Sequence, residues 1–282
     1  MKVTLLGTGS PEAYARRASA GFLVEAGADR ILLDCGGGVV DRLLQAGRLP
    51  SDITHIFFSH LHSDHMMDYA RLVHAAWDEG GRPIKVFGPS PIAEISEKLF
   101  GPDGVFSHDL RARTELPPSQ AVWQARGGSL PRPWPAPDVT EIAPRQTVEG
   151  DGWRLTCCPV PHAQPILTCM ALRIDAGGKS VVYSGDAGHN AAFEKLCGGA
   201  DLLLHWCYRL TGDERYPELV PLTPTPVEIA GLAERADVKR LVLTHFRVQM
   251  DADGVHQNVL AELAAGFSGE AGIAEDLDEI AL

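Results

Sequence analysis

The sequence predicts an α/β fold in which two mixed sheets stack face to face with helices on the outside. Three observations carry that reading. Short β-rich runs split by glycine alternate with stretches of helical apolar spacing in both halves of the chain. The run Ile53 to Phe58 is almost continuously apolar, the pattern of a strand buried on both faces. In each half, apolar runs of strand length end at a histidine or an aspartate, which places a site where strand ends from two sheets meet.

Taken in order, Val3 to Leu6, Gly21 to Glu25 and Arg30 to Leu33 read as antiparallel strands. The last of them stops at Asp34-Cys35-Gly36-Gly37-Gly38, and Val39 to Ala46 has the spacing of a short helix. Ile53 to Phe58 then delivers the chain to His60. A helix around Asp68 to Trp77, a strand at Ile84 to Phe87 and a helix at Ile92 to Leu99 follow. Residues 115–145 hold Pro117, Pro118, Pro131, Pro133, Pro135 and Pro137, which exclude regular helix and central strand, so a long loop is expected there. With Trp123 and Trp134 it is expected to pack as a lid and form a wall of the pocket. The second half repeats the pattern with strands at Trp153 to Cys158, Thr168 to Ile174, Ser180 to Tyr183, Leu202 to His205 and Arg240 to Thr244. Helices are expected at Ala191 to Leu196 and from Thr225, a cap with Pro226 and Glu228 in the first turn. The whole is expected to be one domain over residues 1–282, with a Pro-rich lid or insertion at about 108–150.

Composition narrows the function classes. A hydrophobic fraction of 45% with 22% charged residues is that of a globular protein. No apolar run approaches the ~20 residues of a membrane helix, and residues 1–6 lack a signal-peptide pattern, so a cytoplasmic location without a membrane partner is the default. The formal net charge of −12 works against attraction of a polyanion, making nucleic acid an unexpected partner and a small molecule the expected one. The six cysteines lie in apolar surroundings without paired spacing and are expected to be buried thiols.

The strongest chemical signal is His60-Leu61-His62-Ser63-Asp64-His65, four metal-capable side chains immediately after a buried strand. Imidazole and carboxylate suit zinc and, less exclusively, manganese or iron. Two neutral histidines cannot complete a tetrahedral site, so other strand ends must contribute. His162, Asp186 and His245 each terminate an apolar run. An anionic Asp186 between two cations could serve both, and ions about 3.5–4 Å apart can together activate a water. His205, at the end of Leu202 to His205, is a candidate proton donor or a core histidine; His189 is a candidate substrate contact or a capping-region residue.

These residues resemble the metallo-β-lactamase superfamily, and within it the tRNase Z-like branch, over nearly the whole chain: Leu5-Leu6-Gly7-Thr8-Gly9-Ser10, Leu32-Leu33-Asp34-Cys35-Gly36, Ser59 to His65, Ser184-Gly185-Asp186 and Leu243-Thr244-His245-Phe246. The resemblance implies a four-layer αβ/βα sandwich. It also implies two divalent ions, zinc first, with His60, His62 and His162 on one, Asp64, His65 and His245 on the other, and Asp186 bridging. It gives Asp64 a second role as proton acceptor and makes Asp34 a supporting residue. A homodimer is compatible with it.

The sequence departs from that branch where substrate is chosen. The branch carries a tRNA-clamping arm between the positions of His162 and Asp186, but here the interval is 186 minus 162, or 24 positions, room for two strands and turns. Trp206 stands where the branch has a glutamate after the histidine, and Pro221 where related proteins often have histidine. The expected activity is hydrolysis of a small or medium ester-like substrate, a phosphodiester first. Sulfate ester, carboxylic ester or lactone hydrolysis, tRNA 3′-processing, and a non-hydrolytic metal-binding or redox role are the alternatives.

Overall fold

The computed structural model describes residues 1–215 and 217–282. The strands are β1 (Lys2–Gly7), β2 (Gly21–Ala26), β3 (Asp29–Leu33), β4 (His55–Phe57), β5 (Lys85–Gly88), β6 (Asp138–Glu141), β7 (Thr147–Glu149), β8 (Trp153–Pro159), β9 (Met170–Ala176), β10 (Lys179–Tyr183), β11 (Leu202–Trp206), β12 (Arg240–Thr244), β13 (Glu270–Ile273) and β14 (Glu279–Ala281). They form two seven-stranded sheets among the described residues, ordered β14-β1-β2-β3-β4-β5-β6 and β13-β12-β11-β10-β9-β8-β7. Each sheet has three antiparallel and three parallel pairings, the parallel ones running from β3 to β6 in one and from β10 to β13 in the other. Tight turns join β2 to β3, β7 to β8 and β9 to β10. Gly177 and Gly178, at φ 59° and 73°, join β9 to β10 in a two-residue loop that residues with a side chain adopt at a cost.

The parallel pairs need crossover helices, and these supply the outer layers. On the first sheet lie α1 (Val39–Gln45), the single turn α2 (Ser63–Met66), α3 (Tyr69–Asp78) and α4 (Ile92–Phe100); α5 (Ser107–Glu115) and α6 (Pro117–Ala125) follow. On the second lie α7 (Ala191–Cys197), α8 (Pro226–Arg235) and α9 (Val255–Gly266). Three apolar clusters match the interfaces between four layers: one between the sheets around Phe22, Leu155 and Tyr183, and one under each helical layer. Cys157 belongs to the inter-sheet cluster and Cys158 to the outer one, as alternation along β8 requires. All six cysteines are free and buried. α8 begins as its sequence suggests: Thr225 Oγ1 accepts from the Glu228 amide while the Glu228 carboxylate accepts from the Thr225 amide.

Residues 115–145 correct the expectation of an unbroken loop. Pro117 and Pro118 open α6, because proline in the first helical turn presets φ and lacks an N–H that has no partner there anyway. Asp138–Glu141 then pairs in parallel with β5 as an edge strand. The tryptophans pack outward from the site: Arg132 lies 3.7 Å from the Trp77 ring centroid and 4.5 Å from that of Trp123, and Trp134 Nε1 donates to the Phe100 carbonyl. No helix among the described residues is long and apolar enough to cross a membrane.

Candidate metal centre

The site lies at the carboxyl ends of the parallel strands, where open α/β sheets present their loops. β3 runs into Asp34, β4 into Ser59 and His60, β10 into Asp186 and β12 into His245. Two of these turns take the left-handed backbone region without a glycine, Asp34 at φ 58° and His245 at φ 64°. Such positions cost free energy and persist where neighbours enforce them. Asp34 shows how: Oδ1 accepts from the Ser59 amide at 2.7 Å, and Oδ2 accepts from Ser59 Oγ at 2.7 Å, Tyr183 OH at 2.8 Å and His65 Nδ1 at 2.7 Å. Gly36 is fixed by close approach, since a Cβ there would collide with the Asp64 carbonyl oxygen. Gly185, at φ 56°, would likewise press a Cβ onto Ser59 and the Met170 carbonyl.

All seven ligand candidates converge, in two groups. In the first, the ring nitrogens of His60 (Nε2) and His162 (Nε2) approach His62 Nδ1 at 3.0 and 3.2 Å, and Asp186 Oδ2 lies 3.5 Å from His162. In the second, Asp64 Oδ2 lies 3.4 Å from His65 Nε2 and 3.2 Å from His245 Nε2. Asp186 Oδ1 is 3.4 Å from each of those two nitrogens. One carboxylate thus turns one oxygen to each group.

The donor set fits divalent cations. Burial pushes the His162 imidazole down to about 4 and His60 well below its ordinary value, so both present lone pairs at neutral pH, the form that ligates. Burial opposes charge on Asp186 and Asp64, but neighbouring histidines outweigh it and hold both carboxylates below their usual range. Burial likewise opposes a charged His65, yet Asp186 and Asp34 raise it well above its ordinary value. Buried His65 Nε2 and Asp186 Oδ1 have no hydrogen-bond partner, a costly state that an ion between them would relieve.

His205 is not brought to these groups. Its Nδ1–H donates to the Trp206 carbonyl at 2.7 Å, its Nε2 faces His189 Nε2 at 3.0 Å, and burial lowers its basicity well below the ordinary value. Two neutral imidazoles share one hydrogen bond beside Phe193, with His205 buried and His189 half-buried at the edge of a separate cavity lined by Val220, Pro221 and Glu228. The cleft over the site, about 220 Å³, is floored by His62, Asp64, His162, Asp186 and His245 and walled by Trp206, Tyr208, Leu219 and Leu222, with Pro11 and Thr223. None of the wall comes from residues 108–150, which corrects the expected lid. Sequence reasoning also missed Tyr183, whose hydroxyl orients Asp34 across the sheets, and Tyr208; the pairing of Tyr183 with Asp34 spans 149 positions and leaves no local signal.

The profile of the Beta-lactamase superfamily domain matches residues 29–246. The chain belongs to the metallo-β-lactamase superfamily. Within it, Ribonuclease Z of Mycobacterium bovis (strain BCG / Pasteur 1173P2) is 30% identical over 289 residues, covering 99% of this chain and 98% of the relative. Among solved structures, the metallo-β-lactamase fold protein YhfI from Bacillus subtilis superposes with a TM-score of 0.75 at 24% identity, covering 99% of each chain. The short form of human tRNase Z gives 0.71 at 20% identity, covering 100% of this chain and 99% of that one. This superfamily member is a metallo-β-lactamase-fold hydrolase of the tRNase Z-like branch, and the fold implies divalent metal ions.

Proposed function

We propose that this hydrolase cleaves a phosphodiester of small or medium size with two divalent ions, zinc first and manganese or iron as substitutes. His60, His62 and His162 would hold one ion, Asp64, His65 and His245 the other, and Asp186 both. When bound, the ions polarise the scissile group and lower the pKa of a water to near neutrality. Asp64 lines the cleft and is ionised, so it can orient that water and accept its proton. Turned away and buried, His205 is better suited to fixing the strand end beneath Trp206 than to protonating a leaving group.

The observation that carries the diester reading is a second groove. A cavity of about 440 Å³ of mixed lining, with Tyr14, Arg17, Arg42, Ala15 and Met67 among its walls, shares Pro11 and Asp64 with the 220 Å³ cleft. Two compartments that meet beside one ionised carboxylate suit a reacting atom with a substituent on each side. A monoester fills only one.

Full-length likeness to proteins named Ribonuclease Z favours a second reading, in which the diester is in RNA and the product a tRNA 3′ end. Against it stand the net charge of −12 and the filling of the His162–Asp186 interval by β9 and β10. The deciding experiment is metal analysis of the purified protein coupled to turnover of chromogenic phosphodiester, phosphomonoester, sulfate, carboxylic ester and lactone substrates and of a pre-tRNA. Diester turnover that scales with metal content, with the pre-tRNA left intact, is expected. Cleavage of pre-tRNA at a far greater kcat/KM would install the second reading; turnover of another ester class alone would overturn both.

A further inference from the structure

The wall opposite the ligand groups differs in chemistry from the rest of the site. Trp206 is 2% exposed, and its Nε1–H is already donated to the Ala187 carbonyl at 2.8 Å, so its ring offers the cleft no free donor. Its indole packs edge-on against both His162 and His245, with centroids 5.2 and 5.6 Å away. Tyr208 stacks on Trp206 at 5.8 Å and 24°, and the Arg247 guanidinium lies 4.9 Å from the Tyr208 centroid. Leu219 and Leu222 complete the wall. Thr223 donates its hydroxyl proton to the Leu219 carbonyl at 2.7 Å and also meets Arg209, which leaves it little for a ligand. Among the described residues no lysine or arginine lines this cleft.

A wall of two aromatic rings and two leucines selects by shape and apolar area, and it offers nothing to a second anionic group. The adjoining groove has Arg17 and Arg42, but Glu12 and Asp41 line it too, and both guanidiniums are engaged by Asp251, Glu275 and Asp276. Neither compartment is built for a polyanion. At about 220 Å³ the cleft is smaller than the ~300–1,000 Å³ of drug-sized pockets. It takes one small group beside the reacting centre.

We propose that the substrate is a singly charged phosphodiester with one small uncharged aryl substituent, seated on Tyr208 and Leu222 with Trp206 packed behind them, and that Tyr208 is a specificity-determining residue. This rests on the phosphodiester reading above. Aryl esters also leave more readily, so rates alone would mislead, and binding of non-hydrolysable phosphonates to the metal-loaded protein is the cleaner probe. Calorimetry should give methyl phenylphosphonate, a singly charged diester analogue, about tenfold or more tighter binding than methyl methylphosphonate, the effect of burying one ring face. Tyr208→Ala and, separately, Leu222→Ala should each shrink that ratio several-fold. Tyr208→Phe should preserve it, since the ring and not the hydroxyl makes the contact. Equal affinity for the two phosphonates, no binding of either, or a Tyr208→Phe variant as impaired as Tyr208→Ala would overturn the proposal. Failure of the parent reading looks different: phenyl preference intact in binding, with no diester turned over.

Discussion

The two ligand groups are supported unequally. His65 is fully buried and its Nδ1 is held by Asp34, which Ser59 and Tyr183 hold in turn. His245 is followed by Phe246, whose amide donates to the Thr8 carbonyl and whose ring packs under Arg17 at 5.1 Å. Arg17 is itself enclosed: its guanidinium donates to Thr8 Oγ1, the Ala274 carbonyl and the carboxylates of Asp251 and Glu275. In the other group, His60 leans on Ser59 Oγ, but the His162 side chain is 15% exposed and rides on a loop held by backbone bonds from Gly188 to Pro161 and from Val160 to Cys169, with no side chain among the described residues fixing its ring as Asp34 fixes His65. A group whose side chains are fixed before an ion arrives loses less freedom on binding it. The difference predicts that, with ions bound, the Asp64–His65–His245 group holds its ion more tightly than the His60–His62–His162 group does.

Four experiments would break or sharpen that contrast. Asp186→Ala has the largest expected effect, because it takes an oxygen from both groups. It should abolish hydrolysis and remove at least one ion, a loss beyond the roughly 10–100-fold that removing an outer partner costs; unchanged metal stoichiometry would sink the bridging role. Arg17→Met leaves the buried Asp251 carboxylate to Arg16 and His256 alone. It should lower stability by about 3 kcal/mol, at the low end for breaking a buried pair, read as a fall in denaturant midpoint. A midpoint within error of the parent would mean that the ion cluster does not clamp the turn.

Asp34→Asn is the sharpest test. It should weaken one ion roughly 10–100-fold, seen by stepwise chelator titration, while the ion held by His60, His62 and His162 is released at the same chelator concentration as before. Equal weakening of both would erase the distinction between the groups. The smallest effect is expected from Trp123→Ala. Its ring packs with Arg132 and does not line the cleft, so substrate preference should be unchanged within twofold or about 0.4 kcal/mol. A shift in preference would restore the segment's role as a wall.

Much of this was legible in the chain because its signals are local. The strands before Asp34, His60, Asp186 and His245 announce themselves by apolar runs, and the Thr225 cap by a residue pattern three positions long. Asp276, by contrast, reads in the sequence only as one more acidic residue. In the fold Asp276 accepts from the amides of Thr8 and Ala18, from Thr8 Oγ1 and from Arg42, stitching the end of the chain to the turn after β1. Partners more than two hundred positions apart leave no trace in local pattern. The proline-rich segment was misread for a related reason: proline forbids helix interiors but favours first turns, and only the position of the helix start decides which rule applies.

By itself the sequence determined the two-sheet frame, its family and the seven side chains that gather, because strand periodicity and ligand chemistry are written residue by residue. Tertiary structure alone decided which nitrogen faces which oxygen, that Asp186 divides its two oxygens between the groups, that His205 turns to His189, and that Trp206 and Tyr208 wall the cleft. The reason is distance along the chain. A hydrogen bond or ring contact between strand ends in different sheets is set by the packing of whole layers, and no segment of the sequence contains both partners.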